Sequence, residues 1–222
     1  MLRRRFSPER STAAVPRSVW WAAAGAILVC FGIVNFRHFF FHSLAWDLGI
    51  FDQGIYLISQ GEAPISSFLG FHIIGDHAAY ILYPISLLYR IYPSVQWLLL
   101  IQAVTLGGSG LLVWLLARQA ALSERQAWLM MGVYFAYPVV WNNLLQDFHP
   151  DVIVVAGLLL AVFAARGNHP VWFGLALALT LGSKEITALA VASVGAWLWL
   201  FDQRPRYGIV ALLAGLIWFG IA

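Results

Sequence analysis

Residues 171–200 read VWFGLALALTLGSKEITALAVASVGAWLWL, an apolar stretch that is interrupted by the charged pair Lys184-Glu185. A single helix over this range would be about 45 Å long, whereas the hydrocarbon core of a bilayer is about 30 Å thick. Two shorter helices meeting at Gly182-Ser183-Lys184-Glu185 are the alternative. Because the two arrangements place the chain after Leu200 on opposite sides of a membrane, this stretch decides the topology.

The composition of the whole chain is that of a membrane protein. Of its 222 residues, 61% are hydrophobic and 10% are charged, with a mean hydropathy of +0.78. A soluble domain carries about 25% charged residues. The basic residues form no patch of the kind that nucleic-acid binding needs, so we expect no nucleic-acid partner. The single cysteine, Cys30, excludes an internal disulfide.

Apolar runs predict the membrane-spanning helices. We expect helices at 18–36, 94–117, 126–144 and 151–165, then two halves of 171–200 and a last run from Tyr207. The segment 37–92 contains polar residues, glycines, prolines and a short apolar run at 78–92, which predicts an external loop with short interfacial helices. The predicted fold is therefore all-α, a polytopic transmembrane helix bundle with about seven spans in one domain, 18–222, after a cytoplasmic tail at 1–17. Since the last run is still open at Ala222, we expect a truncated bundle.

The positive-inside rule favours two helices in 171–200. With a cytoplasmic N-terminus, the basic residues inside are Arg3, Arg4, Arg5, Arg10, Arg17, Arg118, Arg125 and Arg166. Arg37 and Arg90 fall outside and count against the assignment. A break at Lys184 adds Arg204 and Arg206 to the inside. We therefore expect an integral protein of a prokaryotic plasma membrane, with Lys184 and Glu185 at its external face.

This topology gathers the unusual polar groups at that one face. They are Asp47 and Asp52, Asp76-His77, Asp147-Phe148-His149-Pro150-Asp151, and Lys184-Glu185. Ionisable groups at membrane depth are costly, so such a gathering predicts a functional site.

Each cluster also has a purely structural interpretation. Asp47 or Asp76 could cap a helix N-terminus. Asp151 could lie at the positive end of a helix that Pro150 opens, and Lys184 could form an ion pair with its neighbour.

The functional interpretation makes Asp47 a general base that Asp52 supports. Lys184 would neutralise a phosphate as a compact positive charge. The residues expected to bind the substrate or its phosphate are Lys184, Glu185, His77, Asp76, Asp147, His149 and Asp151.

A divalent cation is a further option, although no metal site is firmly predicted. The candidate ligands are Asp76, His77 and His149, with Asp147 and Glu185 as additional oxygen donors. Oxygen and imidazole ligands suit magnesium, manganese or zinc. Whether these side chains converge depends on the fold.

The same motifs resemble those of a known membrane family. Asp47-Leu-Gly-Ile-Phe-Asp-Gln53, Gly61-x-x-Pro64, Gly75-Asp76-His77, Asp147-Phe-His-Pro-Asp151 and Lys184-Glu185 together resemble the family called domain of unknown function 2079. The resemblance runs from about Arg37 to the end of the chain. That family is in turn similar to the GT-C glycosyltransferases, especially protein mannosyltransferases and lipid A aminoarabinose transferases.

The resemblance assigns roles to individual positions. Asp47 matches the catalytic acid of those enzymes, and Asp151 matches an acid at the start of the fourth helix. Lys184 matches the lysine of a Lys-Gly pair that opens a later helix. Gly61 and Pro64 match a turn in the first external loop. The chain departs from the pattern at Leu48, where relatives often have a second acid, and at Glu185, where they have glycine. It also has Asp76-His77 near the place of a Lys-Pro-Pro-like element.

The resemblance implies inverting transfer of a sugar from a polyprenyl-phosphate donor to an acceptor at the external membrane face. The implied partners are this lipid-linked sugar, the acceptor and membrane lipids. Asp47 would remove a proton from the acceptor, and Lys184, with His77 or His149, would stabilise the departing phosphate. No Walker-type glycine-lysine motif is present, as expected for a lipid donor.

Two other functions remain open. A transporter would also place carboxylates and a lysine inside a bundle, although broken helices at the midplane and internal repeats are typical of that class. A truncated inactive or structural membrane protein is the other alternative.

Overall fold

The computed structural model describes residues 14–222, which form an all-helical chain. The helices are α1 (Arg17–Phe39), α2 (Ile50–Gln60), α3 (Leu82–Ile91), α4 (Gln96–Gln119), α5 (Glu124–Ala136), α6 (Pro138–Leu145), α7 (Val152–Gly167), α8 (Pro170–Leu181), α9 (Thr187–Leu200) and α10 (Pro205–Ile221). Within the described range, strand-type pairing is limited to an isolated bridge between Ile65 and His72. Residues 1–13 of the expected cytoplasmic tail, 1–17, lie outside this range.

Helix α4 is the centre of the bundle and packs against α1, α5 and α7. Helices α1 and α4 approach closely at Gly107, where an added Cβ would lie 2.8 Å from the Cα of Ile27, so their backbones touch. By length and composition, α1 and α4 could each cross a membrane. Helices α7 to α10 are apolar but shorter.

The charged break in 171–200 separates two helices, as predicted. Helix α8 ends at Leu181 and α9 begins at Thr187. The Thr187 hydroxyl donates to the carbonyls of Thr180 and Lys184, at 2.7 and 2.6 Å, which holds the turn between the helices. The carbonyl of Gly182 accepts the Ile81 N–H at 2.8 Å, so this turn also anchors the segment before α3.

The single helix predicted at 126–144 is wrong. The chain breaks at Tyr137, whose backbone is extended, and Pro138 starts α6. The physical reason is the proline ring, which disfavours the helical conformation of the preceding residue and supplies no N–H for the ladder.

The bundle has two ends with different chemistry. One end, the site end, contains the end of α1, the loop 40–81, and the starts of α7 and α9. The other end joins α7 to the α9–α10 turn through Arg166, whose guanidinium donates to both oxygens of the buried Asp202. The Tyr207 hydroxyl of α10 donates to Asn168 at the same end.

The loop at the site end is ordered by its own packing. Helices α2 and α3 lie against each other, and Ile73 fits against Gly54, where an added Cβ would come 2.6 Å from the Ile73 side chain. Gly61 ends α2 with a φ of 80°, a left-handed conformation that favours glycine. The predicted loop with short helices is therefore present, and it forms one wall of the site.

Candidate functional site

Asp47 lies on a single π-helical turn, Ala45–Gly49, that leads directly into α2. Its carboxylate is 3.6 Å from Nε2 of His149, which comes from the loop before α7. The edge of the Phe51 ring packs against the His149 ring at 5.2 Å. The N-cap interpretation of Asp47 is wrong, since the side chain faces His149 and Leu44 holds the cap position without a side-chain bond. Single π turns occur frequently at functional sites.

Asp147 fastens this turn to the bundle. Its buried carboxylate accepts the N–H of Leu44, the residue just before the π turn, and lies 3.7 Å from the guanidinium of Arg37. Arg37 also donates to the His42 carbonyl at 2.9 Å. Since its oxygens are occupied in this way, Asp147 holds Asp47 and His149 in register. This contact favours a positioning role over the direct phosphate contact that the sequence suggested.

His77 lies between two carboxylates. Its Nε2 is 3.7 Å from Asp76, and its Nδ1 is 3.7 Å from Glu185. Glu185 also accepts the Ala78 N–H at 3.2 Å, which ties the α8–α9 turn to the loop. Asp76 ends a 3₁₀ turn and does not cap α3, whose N-cap is Ile81, so its N-cap interpretation is wrong as well.

Lys184 is half-buried, and among the described residues its ammonium has neither a hydrogen bond nor an ion pair. The predicted ion pair with Glu185 is therefore not formed, because Glu185 faces His77. A half-buried cation without a protein partner is suited to an anionic ligand, since nearby negative charge offsets its desolvation.

Two adjoining cavities open at the site end. The first, the lysine cavity, measures about 180 Å³ and is lined by Asn143, Gln146, Asp147, His149, Asp151, Val152 and Lys184. The second, the acid cavity, measures about 250 Å³ and is lined by Trp46, Asp47, Ile50, Phe51, Leu69, Asp76, His77 and His149. His149 lines both cavities. The four sequence clusters therefore converge through a shared histidine.

Asp151 reaches the lysine cavity from the start of α7. It is the N-cap residue of that helix, but its exposed side chain makes no capping bond. Pro150 precedes the cap, two positions before the first helical residue, Val152, which is where we expected a proline.

Asp52 points away from both cavities, toward α3. It accepts a hydrogen bond of 2.6 Å from the Tyr89 hydroxyl. Burial, followed by this bond and the charge of Asp52, raises the pKa of Tyr89. Asp52 therefore supports the site through the α2–α3 contact, and the structure shows no contact between it and Asp47.

The candidate metal ligands do not assemble. Across residues 14–222, no group of three or more His, Cys, Asp or Glu side chains is placed to hold a metal ion. Asp76, His77 and His149 fail because His77 is drawn between Asp76 and Glu185, whereas His149 faces Asp47.

Sequence reasoning missed three contributors to the site. Arg37 was considered only as evidence against the predicted membrane orientation, although its guanidinium faces Asp147. Trp46 was not assigned a role, and it lines the acid cavity with its indole 60% exposed. Asn143 lines the lysine cavity. The available signal was proximity in sequence, since each lies next to, or a few residues from, a predicted site residue or span end.

The fold and the site together define a helical membrane protein with a polar, two-cavity site at one end of its bundle. Comparison with sequence families then gives a specific assignment. The chain belongs to the family described as predicted membrane protein (DUF2079), whose profile matches residues 37–222. Comparison with curated proteins and with solved structures found no match.

Proposed function

We propose that this protein is a membrane glycosyltransferase that moves a sugar from a polyprenyl-phosphate donor to an acceptor at the external membrane face. The observation that carries the proposal is the meeting of the two cavities at His149. One cavity offers a cation, Lys184, that has no partner within residues 14–222, and the other offers a carboxylate, Asp47, beside the exposed indole of Trp46. Sugar transfer from a phosphate needs a group that stabilises the departing phosphate and a base for the acceptor.

In the proposed reaction, the acceptor oxygen or nitrogen attacks C1 of the sugar from the acid cavity. A bond forms between that atom and C1 as the bond from C1 to the phosphate oxygen breaks, which inverts the configuration. Asp47 takes the acceptor proton, and His149 lies 3.6 Å behind it. The electron pair leaves with the lipid phosphate, whose added negative charge faces Lys184.

The lengths of the helices support a donor that reaches the site from the bilayer. Helices α8 and α9 contain 12 and 14 residues and meet at the Lys184 turn. At the usual rise they are about 18 and 21 Å long, which is shorter than a hydrocarbon core of about 30 Å. The site would therefore lie at or below the headgroup level, within reach of a lipid phosphate. We place the chain in a polytopic, GT-C-like bundle on this basis.

The distribution of arginines supports an external site. The end opposite the site carries Arg17, Arg118, Arg125, Arg166, Arg204 and Arg206. The site end carries Arg37, Arg90 and Lys184. By the positive-inside rule, the arginine-rich end would be cytoplasmic.

The test is sugar transfer by purified protein from radiolabelled polyprenyl-phosphate sugars, comparing wild type with Asp47→Asn. We expect turnover to fall by about 10²- to 10⁴-fold in the variant, because the amide cannot accept the proton. Glu62→Gln is the matched control, since Glu62 is an exposed carboxylate in the same loop that lines neither cavity.

Equal turnover by Asp47→Asn and wild type would refute the role of Asp47. A folded wild type that transfers none of the sugars, but moves a solute across vesicles, would instead support the transporter.

A further inference from the structure

The break between α5 and α6 opens an apolar groove beside the candidate site. The groove measures about 330 Å³, and its walls come from α4, from the Tyr137-Pro138 break and from α7. Val139 and Val140 line it directly after the proline. A continuous helix over 126–144 would carry the chain past this point without the change of direction that opens the groove.

The lining of the groove suits a hydrocarbon. Leu106, Val155 and Leu158 contribute aliphatic side chains. The Tyr134 hydroxyl is already used, because it donates to the Leu106 carbonyl at 2.8 Å, so the tyrosine presents its ring to the groove. Apart from Asn143 and the hydroxyl of Tyr137, the lining is apolar, and its occupation by a hydrocarbon chain removes apolar surface from contact with water.

The groove adjoins the lysine cavity at Asn143. Asn143 lines both, and its side-chain amide is held by a bond of 2.8 Å to the Val139 carbonyl. Along α7, Val152 lines the lysine cavity, and Leu159 lines the groove two turns further on. Seven residues of helix correspond to about 10 Å, so the groove extends along α7 away from the Lys184 end of the lysine cavity.

We propose that this groove holds the phosphate-proximal part of the hydrocarbon chain of a lipid phosphate whose headgroup lies at Lys184. The proposal rests on the proposed function for the identity of the lipid, but it makes a separate claim about where the chain binds. The lysine cavity offers a positive charge and the adjoining groove offers apolar walls, which together are the complement of an amphiphilic anion. A water-soluble phosphate would use only the charged end.

The experiment measures equilibrium binding of farnesyl phosphate and of inorganic phosphate to the full chain in nanodiscs, without requiring turnover. The groove variant is Val139→Trp, which fills a lining position that is 45% exposed and needs no repacking of the core. The matched control is Val133→Trp, because Val133 is 52% exposed, lies on α5 and does not line the groove. Lys184→Met tests the charged end.

We expect Val139→Trp to weaken farnesyl phosphate binding by about tenfold, through lost chain burial, while inorganic phosphate binds as to wild type. Val133→Trp should match wild type for both ligands, and Lys184→Met should weaken both. If Val139→Trp binds farnesyl phosphate like Val133→Trp, the groove does not hold the chain and is filled by ordinary bilayer lipid. Equal weakening of both ligands by Val139→Trp would also overturn the proposal. If the binding pattern holds but no variant or wild type transfers a sugar, the proposed function fails while the groove assignment stands.

Discussion

At the scale of single residues, the contact between Asp52 and Tyr89 joins the helix that follows Asp47 to the helix that follows His77. Both partners are partly or fully buried, and the hydroxyl–carboxylate distance is 2.6 Å. A hydrogen bond to a charged group contributes about 1.5–3 kcal/mol. We therefore assign Asp52 to the stability of the α2–α3 pair.

Tyr89→Phe should lower the free energy of unfolding at neutral pH by about 1.5–3 kcal/mol, because it removes this bond and leaves Asp52 without its partner. Thermal unfolding of the purified protein measures the effect. Tyr83→Phe is the control on the same helix, since the Tyr83 side chain is 42% exposed. Equal unfolding temperatures for the two variants would contradict the assignment.

The same contact has a pH dependence with a defined sign. Because the pKa of Tyr89 is raised by burial and by Asp52, the folded state holds the phenolic proton more tightly than the unfolded state. Its contribution to stability is therefore complete below about pH 10, the ordinary tyrosine value, and is lost as the pH rises above it. The alkaline loss of stability should be smaller in Tyr89→Phe than in wild type or Tyr83→Phe.

At the scale of elements, α9 and α10 cross at glycines. An added Cβ at Gly208 would lie 2.5 Å from the Trp199 nitrogen, and one at Gly195 would lie 2.3 Å from the Leu212 nitrogen. Such contacts permit the backbones of two apolar helices to touch, which is how helices associate where water does not drive them together. This packing fixes α9, which follows the Lys184 turn, against α10.

Gly208→Ala should destabilise the bundle by about 1–3 kcal/mol, because the methyl group meets backbone atoms that cannot move aside. Gly220→Ala on the same helix is the control, since an added Cβ there has no neighbour within 4 Å. That control should be neutral or slightly stabilising, by up to about 1 kcal/mol, from helix propensity. Unfolding in increasing concentrations of denaturing detergent compares the two, and the inference fails if they unfold together.

At the scale of the whole molecule, the orientation in the membrane follows from which end carries the arginines. Glu62 is exposed at the site end and His169 is exposed at the opposite end, while the native Cys30 is buried. In intact cells, a membrane-impermeant maleimide should label Glu62→Cys and spare His169→Cys. After the membrane is permeabilised, both should react. The reverse pattern would place the site on the cytoplasmic side and remove the external acceptor from the proposed function.

The sequence predicted the clusters of polar residues more accurately than it predicted where helices are continuous. The two helices around Lys184 were predicted correctly, because a charged pair and a glycine interrupt a run too long for one span. The break at Tyr137 was missed, because Val139 and Val140 keep the run apolar and hydropathy does not register backbone conformation. The effect of Pro138 is steric, and it acts on φ and ψ of its neighbour.

Some roles could not be predicted from local pattern because the partners are distant in sequence. Asp147 and Leu44 are separated by 103 residues, and Glu185 and Ala78 by 107. The N-cap interpretations of Asp47 and Asp76 considered only the local backbone, whereas Asp47 faces His149 from a distant segment and Asp76 faces the side chain of its neighbour His77.

The sequence by itself determined that the chain is a helical membrane protein and that its costly polar residues come in four clusters, because hydropathy and the expense of buried charge are local properties of the chain. Only the tertiary structure decided which carboxylates face which histidines, that Lys184 has no partner in the described part of the chain, and that the two cavities share His149. Those facts depend on contacts between distant segments. Such contacts include the helix packing at Gly107, Gly195 and Gly208 and the ion pair between Arg37 and Asp147.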